Sequence, residues 1–249
     1  MQELINDFMK NFYGYGNLNG QYWFIGMEEG CGPDWDKDVK PRFEYWEARK
    51  RKQTEDLRDF HFSIGIRNHW EPIDGRPIKV QFTWKRLIET ILAATGGIIT
   101  SENIVDYQSK HLGTLDGNNC LLELLPLPSP NVREFGFKHL ANEEFPFFAS
   151  RAKYRKHIMQ ARIDAIRNLI SDKKPRHIVL YGLTYERQWS DLVKNANWKT
   201  LDNFVKCCRI SESHVWLVPH PAAHNIPRKL FEELGERMKK ADHQPTICD

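Results

Sequence analysis

Four apolar runs that do not alternate with polar residues constrain this chain more than any other feature. They are QYWFIGM (21–27), CLLELLPL (120–127), HIVLYG (177–182) and HVWLVPH (214–220). A strand that is apolar at successive positions has both faces covered, the condition of a strand in a parallel sheet flanked by helices. Between the runs lie segments with helical spacing. Leu4, Ile5, Phe8, Met9 and Phe12 predict a helix over 2–13. Phe82, Leu87, Ile91 and Leu92 predict one over 82–95, ended by Gly96 and Gly97. Tyr154, Ile158, Ala161, Ala165 and Leu169 predict one over 151–171, and two more are expected over 184–196 and about 227–241.

The expected architecture is α/β: a three-layer sandwich with a central, mostly parallel four-stranded sheet and helices on both faces. No internal repeat or Gly/Ser-rich linker divides the chain, so residues 1–249 read as a single domain with an elaborated insertion or lid at about 34–80. That stretch has no clean period, and its basic run at 49–52 reads as part of a helix. On the 151–171 helix, Arg151, Lys153, Arg155, Lys156, Arg162 and Arg167 read as a solvated face and not as a track for DNA.

Composition narrows the chemistry. A formal net charge of +3 neither demands nor excludes a nucleic-acid partner. The five cysteines, Cys31, Cys120, Cys207, Cys208 and Cys248, form no CxxC pair. Zinc and iron–sulfur clusters therefore lack their usual ligand spacing, no metal or other cofactor is expected, and an odd cysteine count suits a reduced cytoplasm. The N-terminus carries Glu3 and Asp7 and does not read as a signal peptide, and nowhere is there an apolar run long enough to span a membrane.

In parallel sheets, ligands bind beyond the carboxyl ends of the strands. Four segments should meet there: 26–35, 126–130, 182–184 and 219–225. The first, GMEEGCGP, sets Glu28 and Glu29 among glycines. These carboxylates either orient and deprotonate a water or point into solvent from a turn. Glu123 is the one charged residue of its run. Burial of an unpaired carboxylate is costly, so Glu123 is either a structural ion pair or an acceptor at a pocket floor. His220 sits between Pro219 and Pro221 at a strand terminus, which restricts its backbone and makes it a better candidate than a lone histidine elsewhere.

The order strand–GMEEG, strand–ELLPLPSP, strand–YG, strand–PHPAAHN resembles the uracil-DNA glycosylase superfamily over roughly residues 20–35, 118–131 and 150–240. In the branch nearest this pattern the first loop reads GMNPG or GINPG, the second strand ends in Asn before a Pro-containing loop, and the last loop begins HPS. The resemblance implies hydrolysis of the glycosidic bond of a base flipped out of DNA, leaving an abasic site. It places Glu28 at the water-activating position and His220 at the histidine that hydrogen-bonds the departing base. Which of Glu28 and Glu29 activates the water stays open. Met27, Glu29, Gly30, Trp35 and Glu123 fall at base-binding positions, and Ser129, His224, Asn225, Arg228 and Lys229 at positions that contact DNA. No lysine occupies a motif position, so a lyase step is not implied.

Three departures bear on the substrate. Glu29 stands where the family has Pro, Ala222 where it has a phosphate-binding Ser, and Glu123 where it has the Asn that reads uracil. An ionised glutamate only accepts hydrogen bonds, which suits the amino group of a cytosine and not the carbonyl of uracil. A glutamate kept protonated by burial would still donate to a carbonyl. Because cytosine is a normal base, this reading requires a modified cytosine, and the 34–80 stretch, with Trp35, Phe43, Tyr45 and Trp46, either lines a pocket for a bulky group or packs its own core. The combination is similar to the antiviral branch of the superfamily, which removes glucosylated hydroxymethylcytosine from phage DNA. The competing readings are a repair glycosylase for uracil or another deaminated base, a catalytically inactive DNA-binding protein, and a hydrolase of free nucleosides.

Overall fold

The computed structural model describes residues 1–131, 133–194, 197–244 and 248. The chain opens with helix α1 (Gln2–Asn11), strand β1 (Gly14–Gly16) and strand β2 (Tyr22–Gly30). A π-helical turn (Trp35–Val39) leads into α2 (Lys40–Ala48), followed by β3 (Thr54–Glu55) and α3 (Leu57–Ser63). Helices α4 (Phe82–Thr95) and α5 (Ser101–Lys110) precede β4 (Asn119–Ser129). Then come α6 (Arg151–Lys173), β5 (His177–Tyr181), α7 (Glu186–Leu192), β6 (Lys199–Thr200), β7 (Lys206–Ile210), β8 (Ser213–Val218) and α8 (Leu230–Ala241).

The four apolar runs form the parallel centre of the sheet, in the order β4-β2-β5-β8. Trp23, Phe24 and Ile25 on β2 and every residue of β5 and β8 are buried, so successive side chains, which point to opposite faces, are all covered. Helices α1 and α6 pack on one another and on β4, whereas α4 packs on α8 and α5. The sheet is nevertheless larger than four parallel strands. It has eight strands in mixed directions, β3-β1-β4-β2-β5-β8-β7-β6, because β1 joins β4 antiparallel and the β7–β6 hairpin extends β8 antiparallel. The added strands are short, and β3 and β6 hold two residues each, too few to show a period.

Boundaries move for physical reasons. The loops expected at 26–32 and 126–130 are largely strand: β2 and β4 stay paired to Gly30 and Ser129, past a register shift between Glu28 and Gly30. Pro126 and Pro128 are tolerated in β4 because β1 has already left that edge at Leu122, so no ladder bond is lost there. The basic run at 49–52 is not helical. Helix α2 ends at Ala48, and Lys50 and Arg51 turn the chain with positive φ, where Arg51 bonds Asp7 and Glu47. The helix expected over 184–196 is a 3-10 turn followed by Glu186–Leu192, with 195 and 196 outside the described residues. The last helix starts at Leu230, three residues later than expected.

The 34–80 stretch packs both on itself, with Tyr45 against Phe60 at 5.3 Å and His61 against Trp70 at 5.2 Å, and on the rest of the molecule. Its β3 adds to the sheet beside β1, and Phe43 and Trp46 meet Phe8 of α1 at ring distances of 4.9 and 5.1 Å. Helix α6 also departs from expectation. Arg162 is fully buried with its guanidinium on four backbone carbonyls, those of Leu124, Glu123, Phe12 and Met9, and Arg151 is half-buried at the helix start. Two carbonyls inside β4 and two at the end of α1 thus accept from one side chain. Replacing Arg162 with Leu is expected to destabilise the protein by on the order of 3 kcal/mol in urea unfolding, because those carbonyls lose their donors.

Candidate active site

The carboxyl ends of β2, β4, β5 and β8 open into a cavity of about 830 Å³. Its floor is made by Gly26, Glu123 and Tyr181. Gly26 pairs with Glu123 across the ladder, and a Cβ on Gly26 would overlap the Tyr181 hydroxyl and the Glu123 Oε2. The glycine is therefore what lets a carboxyl and a phenol close over the strand. Tyr181 donates to Glu123 Oε1 at 3.4 Å, while Oε2 is buried without a partner. Burial holds the Glu123 carboxyl well above the usual carboxylate range; Glu29 and Glu28 push the same way, and Tyr181 and Arg162 oppose them. Burial thus favours the protonated form of Glu123.

The two glutamates at the end of β2 are held differently. Both oxygens of Glu28 accept from one nitrogen, Arg151 Nη1, at 2.6 and 2.5 Å. The other terminal nitrogen of Arg151 bonds the Ser129 hydroxyl and the carbonyls of Asn131 (2.8 Å) and Glu134 (2.6 Å). One guanidinium therefore ties Glu28 to the segment that leaves β4. Glu29 accepts from Arg42 Nη1 and from the Tyr15 hydroxyl, each at 2.7 Å, and faces His61 Nε2 at 3.5 Å. Burial opposes the charge on Glu29, but Arg42, with His61 and Tyr15 behind it, outweighs burial and brings its pKa down to about 2. Arg42 also donates to the Asp38 carbonyl at 2.9 Å, so Glu29 anchors the 34–80 stretch to the sheet.

His220 follows β8 and borders the cavity, with its ring edge-on to Tyr181 at 5.5 Å. Desolvation lowers its pKa. Its Nδ1 accepts the Ala222 N–H at 3.1 Å, which fixes the proton of the neutral ring on Nε2 and leaves that nitrogen as a donor. Ala222 thus contributes its backbone to His220.

Of the remaining sequence candidates, Met27 and Gly30 line the cavity beside Glu28 and Glu29. Ser129 lines it too, but its hydroxyl is committed to the Asn131 and Glu134 carbonyls and Arg151, so it is not a free phosphate ligand. Trp35 is elsewhere: it packs against His139 at 4.3 Å and Phe137 at 5.6 Å, and does not border the cavity. Phe43 and Trp46 are fully buried, and Tyr45 packs edge-on against Phe60. His224, Asn225, Arg228 and Lys229 are exposed in the segment after His220 and outside the cavity lining. The outer wall instead comes from His61, Ile64, Ile66 and His69 of the 34–80 stretch together with Gln81 and Trp84. Tyr181, Arg151 and Arg42 were not visible as site residues in the sequence. Among the described residues no group of three or more His, Cys, Asp or Glu is placed to hold a metal, and no helix is long and apolar enough to cross a membrane.

The two perturbed glutamates act on stability with opposite sign. An ordinary Glu titrates near 4.5, so as pH falls the unfolded chain takes up the Glu29 proton before the folded one does. Stability from the Glu29 cluster is complete above that range and is lost as pH drops toward 2, by on the order of 3 kcal/mol. For Glu123 the folded value is raised, so the unfolded chain ionises first and stability is lost as pH rises above the usual carboxylate range. Urea unfolding at pH 7 is therefore expected to show Glu29→Gln less stable than wild type and Glu123→Gln more stable.

No protein-family model matches the chain, and no curated protein matches it.

Proposed function

We propose that this protein is a monofunctional DNA glycosylase that hydrolyses the N-glycosidic bond of a base flipped out of DNA and leaves an abasic site. The observation that carries the reading is the convergence of Glu28, Glu123 and His220 on one cavity at the carboxyl ends of four parallel strands. These are the positions at which the resemblance to the uracil-DNA glycosylase superfamily expects the water-activating, base-reading and leaving-group residues.

Glu28 is the better base of the pair at the end of β2. The donors on Glu29 come from three side chains, Arg42, Tyr15 and His61. Glu28 meets one guanidinium nitrogen, so each oxygen keeps a lone pair for a water. The Nε2–H of His220 is available to the departing base, where it stabilises the charge that develops as the bond breaks.

A protonated Glu123 changes the substrate argument. A carboxylic acid offers one acceptor and one donor. It matches a cytosine edge by accepting from the amino group and donating to the ring nitrogen. It matches a uracil edge by donating to the carbonyl and accepting from the ring N–H. Hydrogen bonding at Glu123 therefore leaves uracil as a second reading. The volume of the cavity, and its outer wall from the 34–80 stretch, favour a base with a bulky substituent, such as glucosylated hydroxymethylcytosine.

Mass-spectrometric detection of free base tests this with duplexes containing uracil, hypoxanthine, cytosine, hydroxymethylcytosine and its glucosylated forms. Wild type is expected to release a modified cytosine, and Glu28→Ala to release it about 100-fold more slowly or worse. Release of uracil alone would overturn the bulky-base assignment. DNA binding without release of any base would overturn the enzymatic reading.

A further inference from the structure

Three carboxyl groups meet around the heads of β2 and β4 in unequal surroundings. Glu28 is paired with Arg151 and Glu29 with Arg42. Glu123 has no cation in hydrogen-bonding reach: its Oε2 is buried without a partner, and its Oε1 has only the Tyr181 hydroxyl at 3.4 Å. The buried arginine beneath it, Arg162, is committed to backbone carbonyls, including that of Glu123 itself. The groups that face Glu123 are Glu28 and Glu29 from β2, Tyr181 from β5, Tyr15 from β1 and Arg162 from α6. Arg42, His61 and His220 border the same cavity. Two of the charged groups that face Glu123 are thus carboxylates, and both disfavour a charge on the third.

A cavity holding a protonated carboxyl beside an ionised one is equipped for acid and base work in a single turnover. We propose that Glu123 is the general acid of the cleavage, giving its proton to the leaving base while Glu28 receives one from the attacking water. This rests on the glycosylase reading and deepens it. The water oxygen bonds to the sugar C1′ as the C1′–N bond breaks, and that bond's electron pair leaves with the base. The Glu123 proton passes to a ring nitrogen of the base, so the base departs neutral. The water's proton ends on Glu28, and exchange with solvent after release restores both groups. His220 Nε2–H remains a hydrogen-bond donor and gives up no proton.

The chemistry selects a base class. A cytosine-type ring carries a basic, unprotonated nitrogen on the edge that Glu123 would read, and this nitrogen can take the proton. In a uracil-type ring the same position already bears hydrogen, leaving only weakly basic carbonyls. An acid at this position therefore accelerates departure of cytosine-type bases and does little for uracil.

The test uses the full chain, a duplex oligonucleotide carrying glucosylated hydroxymethylcytosine, and the variant Glu123→Gln. Glutamine keeps the shape, a donor and an acceptor, but has no proton to transfer. The expected result is a kcat lower by about 100-fold or more with KM nearly unchanged, and loss of the alkaline limb of the kcat–pH profile. A substrate whose base carries an electron-withdrawing ring substituent needs less protonation, and should recover most of the lost rate in the variant. Urea unfolding confirms that the variant is folded. A variant with wild-type kcat and an intact alkaline limb would overturn the acid role and leave the glycosylase reading standing. So would a loss confined to KM, or an equal loss on the two bases. Absence of release by wild type from any DNA would overturn the glycosylase reading and the acid role together.

Discussion

The buried ion pair of Arg42 with Glu29 is the joint on which the rest of the site depends. It connects the sheet, through β2, to α2, and with His61 and Tyr15 it gathers α3 and β1 around one carboxylate. It is the polar anchor nearest the cavity wall made by His61, Ile64, Ile66 and His69 of the 34–80 stretch. A buried pair of this kind is weak evidence for net stability, because desolvation offsets most of its attraction. Its effect here is positional. It fixes where a negative charge stands, and Arg151 fixes a second one at Glu28 by the same means.

Those two fixed charges set the state of the third carboxyl. Glu123 sits on a floor that Gly26 keeps open, covered by Tyr181 and flanked by two carboxylates already neutralised by their own arginines. No cation hydrogen-bonds the Glu123 carboxyl, so burial dominates and favours its protonated form. Keeping an unsatisfied acid in a folded chain costs stability, a familiar feature of functional sites. The outcome is a division of labour among chemically identical side chains that follows from which of them an arginine reaches.

The sequence made the parallel centre of the sheet legible because a strand buried on both faces has no polar positions to blur it, as in HIVLYG and HVWLVPH. It also singled out Glu28, Glu123 and His220, which follow, interrupt or end such runs and border one cavity. The short strands β1 and β3 carried no signal, being two or three residues long and held by pairing to β4 and to each other. Arg151 and Arg162 looked like part of a solvated basic face because their partners lie far along the chain: Glu28 for one, the carbonyls of Leu124 and Phe12 for the other. Tyr181 was hidden as the last residue of an apolar strand. The one hint was its place before Gly182 in the strand–YG motif. Trp35 misled for the opposite reason: closeness in sequence to GMEEG suggested a stacking platform, whereas the π-helical turn carries it to Phe137 and His139.

The central claim is that burial holds the proton on Glu123 in the folded protein while Arg42 keeps Glu29 ionised. Infrared spectroscopy of protein with carbon-13 in the glutamate side chains tests it without any substrate. The account predicts a carbonyl band of a protonated carboxylic acid at pH 7 that disappears in Glu123→Gln and persists in Glu28→Gln and Glu29→Gln. A protonated-acid region left unchanged by Glu123→Gln would contradict it.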